Sequence, residues 1–132
     1  MAFWISTPGL SFTQMRAIHR QEWWRATLGT VTAVPDCAGP PLGMGLADTY
    51  FQASIRLDRG GDLVFFTDGL VEARNRLHGA FGIARLDTAI REGTEKGAEA
   101  VKRKVMDSWQ KFLAGKPCED DVTLVVLGRA SS

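Results

Sequence analysis

Hydrophobic and polar residues alternate most regularly between Phe51 and Leu57, where Phe51, Ala53, Ile55 and Leu57 are separated by Gln52, Ser54 and Arg56. A period of two is that of a strand with one buried face. Asp58-Arg59-Gly60-Gly61 follows as a turn signal, and Leu63-Val64-Phe65-Phe66 as a short run apolar at every position. Two such runs joined by a few glycine-containing residues predict a β-hairpin. After Asp68-Gly69 a short helix is expected over 70–76. Phe81, Ala84, Leu86 and Ile90 then predict a helix over 81–92, ended by Gly93. Ala98, Val101, Val105, Trp109, Phe112 and Leu113 recur at intervals of three and four, which puts them on one face of a longer amphipathic helix. Thr94 suits its N-cap, and Gly115 and Pro117 suit its end. Val122 to Leu127 reads as a final strand rich in β-branched residues.

The first part of the chain is less regular. Phe12, Met15, Ile18 and Trp23 stand at roughly helical spacing and predict a short helix over 11–26. Thr27 to Val34 is β-branched and predicts a strand, and Pro35 to Gly45, with three prolines and three glycines, a loop. The chain thus divides into a tryptophan-rich segment, 1–36, and a regular part, 37–132. From Thr49 the order is strand, strand, helices, strand, which indicates an α+β fold.

Composition narrows the function classes. The 132 residues are 45% apolar and 23% charged, enough for one domain with its own core. Sixteen basic and fifteen acidic residues leave a formal charge of +1, which gives no footprint for nucleic acid or an anionic membrane. No run approaches the roughly twenty apolar residues that a membrane-crossing helix needs. The start, MAFWISTPGL, lacks the basic and apolar regions of a signal peptide, so a cytoplasmic location is expected. Cys37 and Cys118 are far apart, as are His19 and His78, so neither type forms a motif. Lys102-Arg103-Lys104 reads as a solvated helix face and Trp109 as helix core.

Two acidic sites remain at predicted strand ends. Asp68 follows Phe65-Phe66-Thr67, and Asp120-Asp121 precedes Val122-Thr123-Leu124. If these strands are antiparallel neighbours, both carboxylates stand at one sheet edge, within reach of one cation. If they are parallel, a strand of about five residues separates them by roughly 17 Å. Hard cations such as Mg²⁺ or Mn²⁺ take carboxylate oxygens and keep several waters, so aspartates at a rim suit them. Asp-Gly is also a common turn dipeptide, and an Asp pair before a strand often only closes a loop.

The order of several segments adds a resemblance. Gly39-Pro40-Pro41-Leu42-Gly43, the stretch from Leu57 to Asn75 that contains Thr67-Asp68-Gly69 and Glu72-Ala73-Arg74-Asn75, Phe81-Gly82 with Arg85-Leu86, and Asp120-Asp121-Val122-Thr123-Leu124 occur in sequence. Together they resemble the C-terminal half of metal-dependent (type 2C-like) serine/threonine protein phosphatases of the bacterial stage-II-sporulation-E branch. The resemblance runs from about Pro40 to Arg129, two-thirds of the chain. It implies part of a β-sandwich flanked by helices, an antiparallel sheet in which the C-terminal strand returns beside the hairpin, and a binuclear Mg²⁺ or Mn²⁺ centre. It implies Asp68 and Asp120 as metal ligands and Gly69 as a point of close backbone approach. Asp121 is then the neighbour that orients Asp120 or a metal-bound water. The substrate class it implies is a regulatory phosphoprotein, of the anti-sigma-factor-antagonist type.

The family's N-terminal half carries a Gly-Gly-Asp-x-x-Asp-like and an Asp-Gly-x-Gly-like segment, which supply the aspartate bridging the two metals. Neither occurs in residues 1–39, and Val34-Pro35-Asp36-Cys37 does not match the Asn-x-Gly-His-like strand of the family. Three readings stay open: part of a phosphatase, incomplete or inactive by itself; a non-catalytic phosphatase-derived module that binds a regulatory protein; and a half-domain that associates with another copy through an uncovered sheet edge.

Overall fold

A computed structural model describes residues 11–13, 22–27, 30–33, 52–54, 56–77 and 79–130. Its centre is β5 (Asp62–Phe66), whose five residues are all buried. A strand apolar on both faces needs cover above and below as well as a partner along each edge. β5 is paired antiparallel with β2 (Glu22–Thr27) on one edge and β6 (Leu124–Gly128) on the other. β2 continues into β3 (Thr30–Ala33), with Thr27 opposite Thr30, giving the order β3-β2-β5-β6. A separate two-stranded antiparallel sheet pairs β1 (Ser11–Thr13) with β4 (Gln52–Ser54).

This topology corrects three expectations. The helix over 11–26 is replaced by strands at Ser11–Thr13 and Glu22–Thr27. Trp23 and Trp24 are good strand formers, and the open edge of β5 outweighs a loose helical period. The strand expected over 27–34 is shared between the last residue of β2 and the shorter β3. The hairpin between the 51–57 and 63–66 runs does not form, because β4 pairs with β1. The connection from Ser54 to Asp62 exceeds the about two to five residues of a hairpin loop. It is also held at the far end of β6. Gly60 N–H donates to the Arg129 carbonyl (2.9 Å), Arg129 N–H to that of Gly61 (2.9 Å), and the Arg129 guanidinium to that of Leu57 (2.8 Å). Asp58 to Gly61 is still a turn, closed by Gly61 N–H on the Asp58 carbonyl at 3.0 Å. The C-terminal strand does return antiparallel beside the 63–66 run.

The helices are α1 (Asp68–Glu72), α2 (Gly82–Thr94) and α3 (Ala98–Leu113). α2 buries Leu86, Ala89 and Ile90, and Phe81 just ahead of it, whereas Ala84 faces outward. α3 buries Val101, Val105, Trp109 and Leu113, the face its spacing predicts. These side chains form one core with Ala26, Val64, Phe66 and Leu70. Thr94 is not the cap of α3. It is the last residue of α2, its hydroxyl donates to the Ile90 carbonyl (2.9 Å), and Gly97, at φ +81°, takes the cap position. Gly93, expected to end α2, is its last residue but one. Ala114 in the left-handed region and Gly115 at φ +80° terminate α3.

Lys102, Arg103 and Lys104 are exposed, and Cys118 is half-buried and free. Cys37, His19, His78 and the 35–45 loop lie outside the described residues. No helix among the described residues is long and apolar enough to cross a membrane.

Candidate metal-binding rim

Because β5 and β6 are antiparallel with Phe66 opposite Leu124, the chain leaving β5 lies beside the chain entering β6. Thr67 joins the two. Its N–H donates to the Thr123 carbonyl (3.1 Å), its hydroxyl donates to the Asp121 carbonyl (3.3 Å), and that hydroxyl accepts from Thr123 N–H (3.0 Å). A single side chain thereby holds the Asp68 turn against the Asp120-Asp121 loop. Nothing in the apolar pattern marked Thr67 for this. The signal available was a hydroxyl residue between the buried run and the acidic turn.

Asp68 opens α1 and is half-buried, with Oδ1 accepting from Gly69 N–H at 3.0 Å. Asp120 is exposed, and its Oδ1 accepts from Asp121 N–H at 2.8 Å. Gly69 is buried between them. A Cβ on Gly69 would lie 2.5 Å from the Asp121 carbonyl oxygen and 3.5 Å from Asp120 Cβ. The absence of a side chain there lets the two acidic segments approach. Asp121 is exposed and contributes its main-chain carbonyl to Thr67.

Behind the rim, Trp109 of α3 donates its indole N–H to the Leu70 carbonyl at 3.0 Å and fixes α1 from below. Trp109→Phe is expected to lower stability by about 2 kcal/mol, since it leaves a buried carbonyl unpaired. Urea denaturation of parent and variant measures the loss.

The donor set is compatible with one hard cation held by two carboxylates, its other positions filled by water or phosphate. Among the described residues no three Asp, Glu, His or Cys side chains converge on a common point. A two-metal centre therefore needs carboxylates from outside these residues. Beside the rim opens a cleft of about 390 Å³, whose walls include Gly69, Glu72, Arg74, Cys118, Glu119 and Asp120.

A second carboxylate lies at the other end of β5. Asp62 is 1% exposed, and its Oδ2 has no hydrogen-bond partner. Burial raises its pKa from 3.8 to about 6. The length of β5 separates it from Asp68 by roughly 20 Å, so it belongs to the fold rather than the rim. In the sequence it stands between the Asp58–Gly61 turn and the apolar run, and nothing there marks it as buried.

Comparison with known proteins bears on this arrangement. The chain matches the family model described as Stage II sporulation protein E over residues 12–130, which takes in most of the tryptophan-rich segment. A search of curated proteins gives no match. Among solved structures, the chain is similar to the phosphatase domain of the cell fate determinant SpoIIE from Bacillus subtilis, presoaked with Mn. The TM-score is 0.68 at 14% identity, over 99% of this chain and 56% of that one. It is also similar to the RsbU and RsbW domains of Rv1364c from Mycobacterium tuberculosis, with TM-score 0.70 at 24% identity over 96% and 34%. The SiaA-PP2C domain of Pseudomonas aeruginosa gives TM-score 0.65 at 17% identity over 90% and 45%. This chain thus spans between 34% and 56% of these structures, and at such identities the likeness is one of fold. Mixed helices and antiparallel sheets shared with these phosphatase domains, and a family match over nearly its whole length, make this chain a member of the stage II sporulation protein E family.

Proposed function

We infer that the chain supplies one side of a metal-dependent phosphatase centre that acts on phosphoserine or phosphothreonine in a cytoplasmic regulatory phosphoprotein. The observation that carries this reading is the Thr67 junction, which sets Asp68-Gly69 beside Asp120-Asp121. Asp68 and Asp120 hold the cation, Mn²⁺ or Mg²⁺. Gly69 keeps the two segments close, and Asp121 orients Asp120 or a water at the rim. When bound, a hard divalent cation supplies positive charge to a phosphoryl oxygen as negative charge develops there. Mycobacterium tuberculosis Rv1364c joins RsbU and RsbW domains, which supports a regulatory protein as partner.

The lack of a third converging ligand among the described residues favours a second reading, a phosphatase-derived module that binds its partner without turnover. One experiment separates the two. Calorimetric titration of Mn²⁺ into the purified chain is expected to show binding that Asp68→Ala weakens at least about tenfold, with an aryl phosphate assayed in parallel. Turnover by the parent supports the enzyme reading, and carboxylate-dependent binding without turnover supports the module. Equal Mn²⁺ affinity in parent and Asp68→Ala would sink the rim as a metal site.

A further inference from the structure

The cleft beside the rim reaches beyond the two proposed metal ligands. It shares Gly69 and Asp120 with the rim and runs from there along the end of α1 to Glu72 and Arg74, facing Pro117 to Glu119. A peptide whose phosphorylated residue sits at the rim has this cleft as its adjacent channel. The volume, about 390 Å³, lies at the lower end of the range for small-ligand pockets and suits a short stretch of side chains.

Three acids, Glu72, Glu119 and Asp120, and one basic residue, Arg74, line it; with Asp120 assigned to the rim and Glu119 bridged to Lys116, Glu72 is the carboxylate left to the cleft. These acids do not converge as a cation cage, because no three acidic, histidine or cysteine side chains among the described residues form one. Carboxylates spread along a wall fit a long cationic side chain better than a bare ion. The apolar lining, Val71, Ala73 and Pro117, suits the methylene stem of such a side chain. Glu119 is already bridged to Lys116 at 2.8 Å. Glu72 is exposed and forms no ion pair among the described residues, which leaves it to meet an incoming cation.

The geometry points to a substrate subsite: the cleft receives the residues flanking the phosphorylated residue, and Glu72 selects a lysine or arginine among them. This rests on the phosphatase reading of the rim, and its test separates the two. Fluorescence anisotropy with the full chain compares three labelled peptides: phosphothreonine flanked by arginines, phosphothreonine flanked by alanines, and unphosphorylated threonine flanked by arginines. Measurements with and without Mn²⁺ keep the readout independent of turnover.

The arginine-flanked phosphopeptide should bind about fivefold tighter than the alanine-flanked one at low salt, as one exposed ion pair allows. Glu72→Lys should abolish that preference, while leaving the alanine-flanked phosphopeptide and the thermal melt unchanged. Raising the salt should shrink the preference in the parent. Equal binding of the two phosphopeptides, or a preference that survives Glu72→Lys, overturns the subsite and leaves the phosphatase reading intact. If the unphosphorylated arginine peptide binds as tightly as its phosphorylated form and depends on Glu72, the subsite stands and the phosphate-directed reading of the rim fails. Absence of binding by all three overturns the subsite.

Discussion

Asp62→Asn is expected to raise the stability of the chain by up to about 3 kcal/mol at pH 7.5, and by almost nothing at pH 4. Asp62 starts β5 with 1% exposure, and its Oδ2 finds no partner. The space around it is closed. A Cβ on Gly128 would come within 2.8 Å of Asp62 Oδ1 and 3.0 Å of the Ala98 Cβ. A carboxylate taken out of water here favours its protonated form, which is why the pKa rises from 3.8 to about 6. The sign follows from proton binding. Between about pH 4 and 6 the folded chain binds more proton at this site than the unfolded chain, so the contribution of Asp62 to stability falls as pH rises through that window. Above it the full penalty of the buried charge remains. Asparagine keeps the shape and cannot ionise. Urea denaturation of parent and variant at pH 4, 5.5 and 7.5 reads the difference directly. A gap between them that does not grow with pH would refute the buried-charge account. Asp62 is remote from the rim, so Mn²⁺ affinity should be the same in both.

The second large effect is expected at Gly93. Helix propensity alone predicts that Gly93→Ala, inside α2, stabilises the chain by about 1 kcal/mol. The packing predicts the opposite, a loss of about 3 kcal/mol, the upper end for overpacking a close contact. A Cβ at this position would lie 2.5 Å from Val101 Cα, 2.7 Å from Val101 N and 3.1 Å from the Ala100 carbonyl carbon. All three are main-chain atoms of α3, so no rotamer relieves the clash. The two helices must separate, and Ile90 and Val101, both fully buried, must give up their cover. Chemical denaturation decides between propensity and packing. A variant as stable as the parent would show that α2 and α3 slide past each other at little cost. The sequence presents this glycine as a helix terminator. The structure makes it the point where two helices touch.

Much of the rim was legible before the fold. Asp68 and Asp120 stand at the ends of two apolar runs, which puts them at one sheet edge if the strands are antiparallel neighbours. The register Phe66 opposite Leu124 meets that condition. What the residues did not disclose was Thr67 as the junction, or the cleft that continues from the rim along α1. Both come from approaches between segments more than forty residues apart, which leave no mark on a local pattern. The metal itself stays with the proposal, since it rests on two carboxylates and on partners outside the described residues.

The elements whose period is set by burial can be read from the residues alone. These are the apolar run Leu63–Phe66 of β5, the helical face of α3 with Val101, Val105 and Trp109, and the C-terminal strand. Each of them buries a face that the residues must supply, so the pattern of apolar positions reports it. Which strand lies beside which is settled only when the chain packs. A period of two says that one face is covered, but main-chain hydrogen bonding along an edge is blind to side-chain identity. β4 therefore paired with β1, and the edge of β5 went to β2 from the segment that read as a helix. The close approach that excludes a side chain at Gly93 was likewise set by the packing of α2 on α3. That closeness is a property of two packed helices and is written in neither of them alone.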